Sequence, residues 1–155
     1  GAGGGVSTLG LQYAKLFKAR IAGVDSESKQ EYMHLLSFDK VIDYEKEGYT
    51  ESCIQYDIIL DNKSTHSPFK AIKALKPGGT YLSIGGDSWR ITQYAPLKKW
   101  IFRRYNNRVA ALGLRPNKGL GELTGLVESG KLIPAVDKRY SLEEVPQAIR
   151  RFEEA

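Results

Sequence analysis

Gly1-Ala2-Gly3-Gly4-Gly5-Val6-Ser7-Thr8 runs without a break into a helical pattern, Val6 to about Arg20, that places Leu9, Tyr13, Leu16 and Phe17 on one face. A loop of this kind gathers unpaired backbone N–H groups and the positive end of a helix dipole at one point, which suits a phosphate. Glycines let a ligand approach the backbone, and small residues let the helix lie close to a sheet. The spacing G-x-G-x-x-G is met only sterically, because its three glycine positions fall on Ala2, Gly4 and Ser7. A glycine-rich turn without a ligand is the plain alternative; the amphipathic helix that follows at once argues against it.

Outward from the loop, strand-like and helix-like stretches alternate. A short strand is expected at Arg20–Asp25, a helix near Ser28–Leu36 and a strand at Lys40–Tyr44. Tyr56–Asp61 is apolar through its middle, as a strand buried on both faces should be. Pro68–Leu75 reads as a helix closed by the turn Lys76-Pro77-Gly78-Gly79, followed by a strand at Thr80–Ile84 that ends in Gly85-Gly86. A helix near Leu120–Ser129, a strand near Lys131–Val136 and a helix at Leu142–Glu154 complete the series. The last helix is entered through Ser141 with Glu144 three residues on, a capping box. Such alternation predicts an α/β fold, a doubly wound parallel sheet. Glycine loops join a strand to a helix, yet no strand precedes Gly1. In the strand order 3-2-1-4-5-6 that strand is the central one. The expectation is a sheet without its first, central strand. By itself such a chain should be poorly stable and catalytically silent, with unpaired edges and an open core.

At 155 residues the chain has the size of one domain, and 41% hydrophobic with 26% charged residues is ordinary globular composition. No stretch approaches the roughly 18 apolar residues of a membrane span, and the first residues lack a basic-then-apolar leader pattern. Cys53 is the single cysteine and cannot form an internal disulfide. With His34 and His66 the only histidines, no zinc site is expected from this chain. Those features make the cytoplasm the expected compartment. A net charge of +5 suits an anionic ligand without demanding nucleic acid.

Asp25 stands 23 residues beyond Ala2, at the end of the second predicted strand. A carboxylate about 20 residues past a glycine loop can accept hydrogen bonds from an adenosine ribose; an Asp capping the next helix is the bland alternative, and the two roles are compatible. His34, beside Leu35 and Leu36, reads as packing or surface, and nothing near Cys53 marks an activated thiol.

Gly1-Ala2-Gly3-Gly4-Gly5 also fits the G-x-G-x-G of S-adenosylmethionine-dependent methyltransferases, and Tyr56–Leu60 with Leu75–Gly79 resembles later motifs of that family. The second half of the chain points elsewhere. Phe38-Asp39-Lys40-Val41-Ile42-Asp43-Tyr44 and Tyr56-Asp57-Ile58-Ile59-Leu60-Asp61-Asn62 resemble the "GAD-x-VIDY" and "YDLILDN" segments of the medium-chain dehydrogenase/reductase superfamily, quinone-oxidoreductase-like branch. Gly130-Lys131-Leu132-Ile133-Pro134-Ala135-Val136-Asp137, then Tyr140-Ser141-Leu142-Glu143-Glu144-Val145 and Ala148, resembles its C-terminal signature, which methyltransferases lack. The resemblance spans nearly the whole chain, with residues 88–118 the least matched.

This resemblance implies a Rossmann-like cofactor domain of an NAD(P)H-dependent oxidoreductase acting by hydride transfer on quinones, activated alkenes or carbonyl compounds. It implies cofactor contacts from Ala2, Gly3, Gly4, Gly5 and Val6. Lys29 and Tyr44, with Ser26 nearby, would grip the 2′-phosphate of NADPH, since an ammonium, a phenol and a hydroxyl can all donate to phosphate oxygens. Asp25 departs from that pattern and favours the free hydroxyl of NADH. Lys29 offsets it, so NADP(H) is expected to be slightly preferred over NAD(H). Asn62, Gly85 and Gly86 lie at strand ends along the expected crevice. Much of the substrate cleft of such enzymes comes from a separate GroES-like domain that this sequence does not contain, so no catalytic acid or base is named. A homodimer is implied for the full-length parent.

From Ser88 to Gly121 there is no acidic residue and there are eight basic ones, among them Lys98, Lys99, Arg103 and Arg104. Leu97, Trp100, Ile101 and Arg104 lie at helical spacing. Residues 96–105 could then form an amphipathic helix that meets an anionic membrane or an RNA backbone, making the chain a noncatalytic basic interaction module. The commoner origin of such a run is a solvated insertion, a lid or a dimer contact.

Overall fold

A computed structural model describes residues 1–63, 68–85, 98–113, 116–136 and 138–154. The first unit is a parallel pair. Strand β1 (Ala22–Asp25) leads through helix α2 (Glu27–Leu35) to β2 (Lys40–Asp43), in a register running from Ala22↔Lys40 to Asp25↔Asp43. Gly23 makes this pairing compact. A Cβ there would lie 2.4 Å from Met33 Cε and 2.7 Å from the Phe38 ring, so only glycine lets α2 and its fully buried Met33 close on β1.

The second unit is a three-stranded parallel sheet, β3 (Tyr56–Asp61), β4 (Leu75–Ser83) and β5 (Arg108–Ala111), in that order. Helix α3 (Pro68–Lys73) makes the crossover from β3 to β4. Residues 98–105 form helix α4, held down by Ile101, which is fully buried. Helix α5 (Leu120–Glu128), a 3-10 turn (Leu142–Glu144) and helix α6 (Val145–Glu154) end the described chain, and helix α1 (Gly5–Lys15) follows the glycine loop.

In the doubly wound order, β2-β1 take the first two places and β3-β4-β5 the last three. Among the described residues no strand holds the place between β1 and β3, as the sequence predicts. A shared core still ties the two sheets together: Ile42 of β2, Ile59 of β3 and Tyr81 of β4 pack with Tyr49, Ala71, Ala74 and Leu75. Tyr81 is fully buried, and its hydroxyl donates to Asp61 Oδ2 at 2.8 Å.

Four expectations need correction. β3 is not buried on both faces: Ile59 is buried, but Ile58 is 63% and Leu60 46% exposed, because no described element covers their side. Lys76-Pro77-Gly78-Gly79 is not a turn that ends a helix but a bulge inside β4. The register passes from Tyr56↔Leu75 to Ile58↔Thr80, and the extra residues loop out. Gly78 takes φ +85°, and a Cβ on Gly79 would sit 3.0 Å from Asp57 O and 3.1 Å from Tyr56 O. Lys131–Val136 forms no strand. Its backbone is met instead by a side chain: Gln12 Nε2 donates to Ile133 O at 2.9 Å, and Ile133 N–H donates to Gln12 Oε1 at 2.8 Å. Finally, α1 stops at Lys15 rather than near Arg20, with Lys18 in the left-handed region at φ 57°.

The capping box is present, with Ser141 N–H donating to Glu144 Oε2 at 2.9 Å. The 3-10 turn and helix α6 together carry an apolar stripe that stays in solvent, Leu142 at 87% and Phe152 at 84% exposure with Val145 and Ile149 between them. Among the described residues no helix is long and apolar enough to cross a membrane.

Candidate functional site

The carboxyl ends of β1, β2, β3 and β4 carry Asp25, Asp43, Asp61 and Ser83, and the glycine loop lies across this edge. The N-terminal amino group and the Ala2 N–H donate to Val24 O at 2.9 and 3.1 Å, which fixes the loop to β1. On the other side, Asn62 Nδ2 donates to Ser7 Oγ at 2.6 Å, and the Ser7 hydroxyl donates to Gly1 O at 2.9 Å. The loop therefore bridges the two sheets where their strands end.

Helix α1 begins in a way that leaves donors open. Thr8 N–H makes the first bond of the ladder, to Gly4 O at 3.0 Å. The N–H groups of Gly5, Val6 and Ser7 precede it, so they have no carbonyl four residues back within the helix. No side chain caps this end, and no acidic residue stands in its first turn. Three adjacent amides and a positive dipole end, free of a competing carboxylate, can hold a pyrophosphate.

Asp25 faces the loop from below. Its Oδ2 accepts the Gly3 N–H at 2.8 Å, and its Oδ1 accepts the Ser26 N–H at 2.9 Å, with the residue only 6% exposed. Burial pushes this carboxyl up. The Gly3 and Ser26 amides, the Gly1 amino group and Lys29 outweigh burial and hold it below the usual carboxylate range. Asp25 is thus an anion kept in place by backbone donors. Lys29 lies over the same loop, since a Cβ on Gly3 would meet Lys29 Cδ at 3.1 Å and Asp25 Oδ2 at 3.3 Å.

The predicted residues mostly converge. Ala2, Gly3, Gly4, Gly5 and Val6 form the loop and the first turn; Asp25, Ser26 and Lys29 border it on the β1 side, and Asn62 and Gly85 on the β3 side. Gly85 is pressed against Asn62, whose carbonyl oxygen would be 2.7 Å from a Cβ. Asn62 Oδ1 is buried without a hydrogen-bond partner, an acceptor beside the loop that a ribose or amide donor would satisfy. Tyr44 donates its N–H to Asp25 O at 3.3 Å, while its side chain is half-exposed. Gly86 lies outside the described residues.

Two participants escaped the sequence reading. By type Ser7 is only a small residue in a glycine position, but its hydroxyl links Asn62 to the loop. Lys46 bonds Glu27 in the first turn of α2 and lies 3.5 Å from Asp43 Oδ2, which brings a second cation to the Ser26 end of the edge. Among the described residues, no three His, Cys, Asp or Glu side chains come together as metal ligands.

A loop with open amides, an anchored carboxylate beyond it and an unfilled acceptor at the next strand end fit a dinucleotide lying across the sheet edge. The zinc-binding dehydrogenase family model matches residues 36–155. The chain belongs to that family. Residues 1–35, which hold the loop and Asp25, precede the family match, but individual relatives extend through them. The chain is 28% identical over 173 residues to the mitochondrial NAD(P)H oxidoreductase RTN4IP1 of Bos taurus, covering 99% of this chain and 43% of that protein. It is 30% identical over 157 residues to 2-methylene-furan-3-one reductase of Solanum lycopersicum, covering 99% and 36%. The quinone oxidoreductase of Coxiella burnetii superposes with a TM-score of 0.78 at 21% identity, over 99% of this chain and 47% of that one, and shares the fold. The chain thus spans less than half the length of the curated relatives it matches. The family match sets aside the methyltransferase reading of the glycine loop.

Proposed function

We propose that this chain is the dinucleotide-binding part of an NAD(P)H-dependent oxidoreductase that reduces a quinone, an activated alkene or a carbonyl compound. The observation that carries the reading is the single edge at which the open Gly5, Val6 and Ser7 amides, the Asp25 anion and the unfilled Asn62 acceptor meet. The reductase relatives support the same chemistry. A bound nicotinamide supplies the hydride. The residues of this chain hold and orient it: the loop amides take the pyrophosphate, Asp25, Ser26, Lys29 and Tyr44 surround the adenosine ribose, and Asn62 and Gly85 border the nicotinamide half. Gly85, which carries no Cβ, would leave backbone room there.

Between the coenzymes, we favour NADPH over NADH by a small margin. The Asp25 carboxylate already accepts two backbone N–H groups and has Lys29 beside it, which weakens both its repulsion of a 2′-phosphate and its service to a free 2′-hydroxyl. Ser26, Lys29 and Tyr44 add three donor side chains. The homodimer and the cytoplasmic location expected for the intact protein belong to the same proposal and are read by sedimentation and by cell fractionation.

The test is a thermal melt of the intact protein with NADPH, with NADH and with S-adenosylmethionine. A ligand that binds only the folded state raises the midpoint by mass action, about 2.7 kcal/mol at a hundredfold excess over Kd. A rise with both nicotinamide coenzymes, larger with NADPH, is expected. A rise with S-adenosylmethionine alone, or with none of the three, would overturn the proposal.

A further inference from the structure

Lys46 stands where the choice between the two coenzymes is made, and it is not at liberty. Its ammonium bonds the Glu27 carboxylate and lies 3.5 Å from Asp43 Oδ2, an oxygen that is buried and accepts no hydrogen bond. Register puts this cluster beside the ribose position. Asp25 and Asp43 are partners in adjacent parallel strands, so the segments leaving them, Ser26-Glu27 and Tyr44-Glu45-Lys46, start side by side at one edge, roughly 5 Å apart. Two hydroxyls, Ser26 Oγ and Ser28 Oγ, lie 3.0 Å from each other at the same helix start. Lys46 therefore belongs to the same corner as Ser26, Lys29 and Tyr44.

We propose that Lys46 is a specificity-determining residue for the 2′-substituent of the coenzyme, and that Glu27 sets its strength by competing for it. With a free 2′-hydroxyl bound at Asp25, Lys46 stays with Glu27 and Asp43 and adds nothing. With a 2′-phosphate bound, a dianion offers Lys46 a better partner than Glu27, and the ammonium swings across while Asp43 remains its second contact. Glu27 thus reduces the discrimination that Lys46 could give, which leaves the preference for NADPH small. The H-bond from Lys46 to Glu27, followed by the field of Glu27 and Asp43, also holds the ammonium above its ordinary pKa, so it is charged at every pH of interest.

This inference rests on the dinucleotide reading of the edge, and the test separates the two. Dissociation constants of NADPH, NADH, 2′,5′-ADP and 5′-AMP are measured by calorimetric titration for the intact protein and for Glu27→Gln, Lys46→Gln, the double variant and Lys40→Gln. Lys40 pairs with Glu47 at 3.2 Å, away from this corner, and its variant controls for the loss of one positive charge. For exposed ion pairs worth a few tenths to one kcal/mol, the expected changes are about twofold to fivefold. Glu27→Gln should tighten NADPH and 2′,5′-ADP by that factor, and Lys46→Gln should weaken them by a similar one. NADH, 5′-AMP and the Lys40 variant should not move. In the Lys46→Gln background the gain from Glu27→Gln should shrink, because it acts through Lys46. If the wild type binds both coenzymes and either variant leaves their ratio unchanged, or if the Glu27→Gln gain persists in full without Lys46, the role of Lys46 is refuted while the dinucleotide site stands. If the wild type binds none of the four ligands, both fall.

Discussion

Replacing Asp25 by Ala removes the acceptor that holds the glycine loop onto β1. Two backbone N–H groups lose an ionised partner, Gly3 at 2.8 Å and Ser26 at 2.9 Å, in a residue that is 6% exposed. Hydrogen bonds to a charged group contribute about 1.5–3 kcal/mol each, and water entering the vacated space returns part of it, leaving a net loss of about 3 kcal/mol. The loop should open locally before the sheets do, because Val24 O still holds the Ala2 N–H. Amide hydrogen exchange is the direct assay. At 1.4 kcal/mol per tenfold, protection of the Gly3 N–H should fall about a hundredfold in the variant, while amides of β3 and β4 change little. A pH series adds a second check. The Asp25 carboxyl is held below its unfolded value near 3.9, so its stabilisation is complete above that pH and is lost as the pH falls through the lower folded value. The variant should lack this acid-side loss of loop protection. Gly3 protection within twofold of the wild type, at both neutral and acid pH, would refute the reasoning.

Other substitutions test the same edge and its supports. Gly85→Ala puts a Cβ 2.7 Å from Asn62 O, and the backbone shift should cost about 1–3 kcal/mol in chemical denaturation and weaken coenzyme binding at the same time. Tyr81→Phe strips Asp61 of the hydroxyl that donates at 2.8 Å in the core, with an expected loss of about 1–2 kcal/mol in urea unfolding; no change would show the bond to be idle. Gln12→Ala removes both bonds to the Ile133 backbone, so exchange of the Ile133 N–H should accelerate about fivefold to tenfold, with coenzyme affinity unaltered.

Much of this architecture is readable locally. Tyr56–Asp61 matches its predicted strand residue for residue, because a run of Ile58, Ile59 and Leu60 between polar ends has few other uses. Ser141 and Glu144 mark the start of the last helical segment, since a capping box is a local chemical pair. Spacing from the glycine loop singles out Asp25 as a ribose acceptor or a helix cap; its bond to the Gly3 N–H depends on how β1 brings it under the loop and is seen only in the structure. The features that local sequence does not reveal depend on distant partners. Pro77-Gly78-Gly79 has the composition of a turn, but the pairing of Thr80 with Ile58 draws those residues into a strand as a bulge. Lys131–Val136 has strand composition, yet strands need a neighbour, and the Gln12 carboxamide meets its backbone instead. β5 is four residues with no alternation and half-buried Val109 and Ala110, so nothing local announces it. Ile58 and Leu60 look like core residues by type, and their exposure follows from the parting of the sheet into two. The Glu27–Lys46–Asp43 cluster is set by the β1–β2 register, and its charges are ordinary surface residues when read along the chain.

The most direct measurement is hydrogen exchange of the intact protein titrated with NADPH and with NADH. Saturable binding is expected, with new protection confined to Gly3–Ser7, Asp25–Lys29, Tyr44–Lys46, Asn62–Lys63 and Gly85, and none along Leu120–Glu128. Absence of saturable binding by either coenzyme, or protection that leaves the glycine loop untouched, would contradict the assignment of this edge as a dinucleotide site.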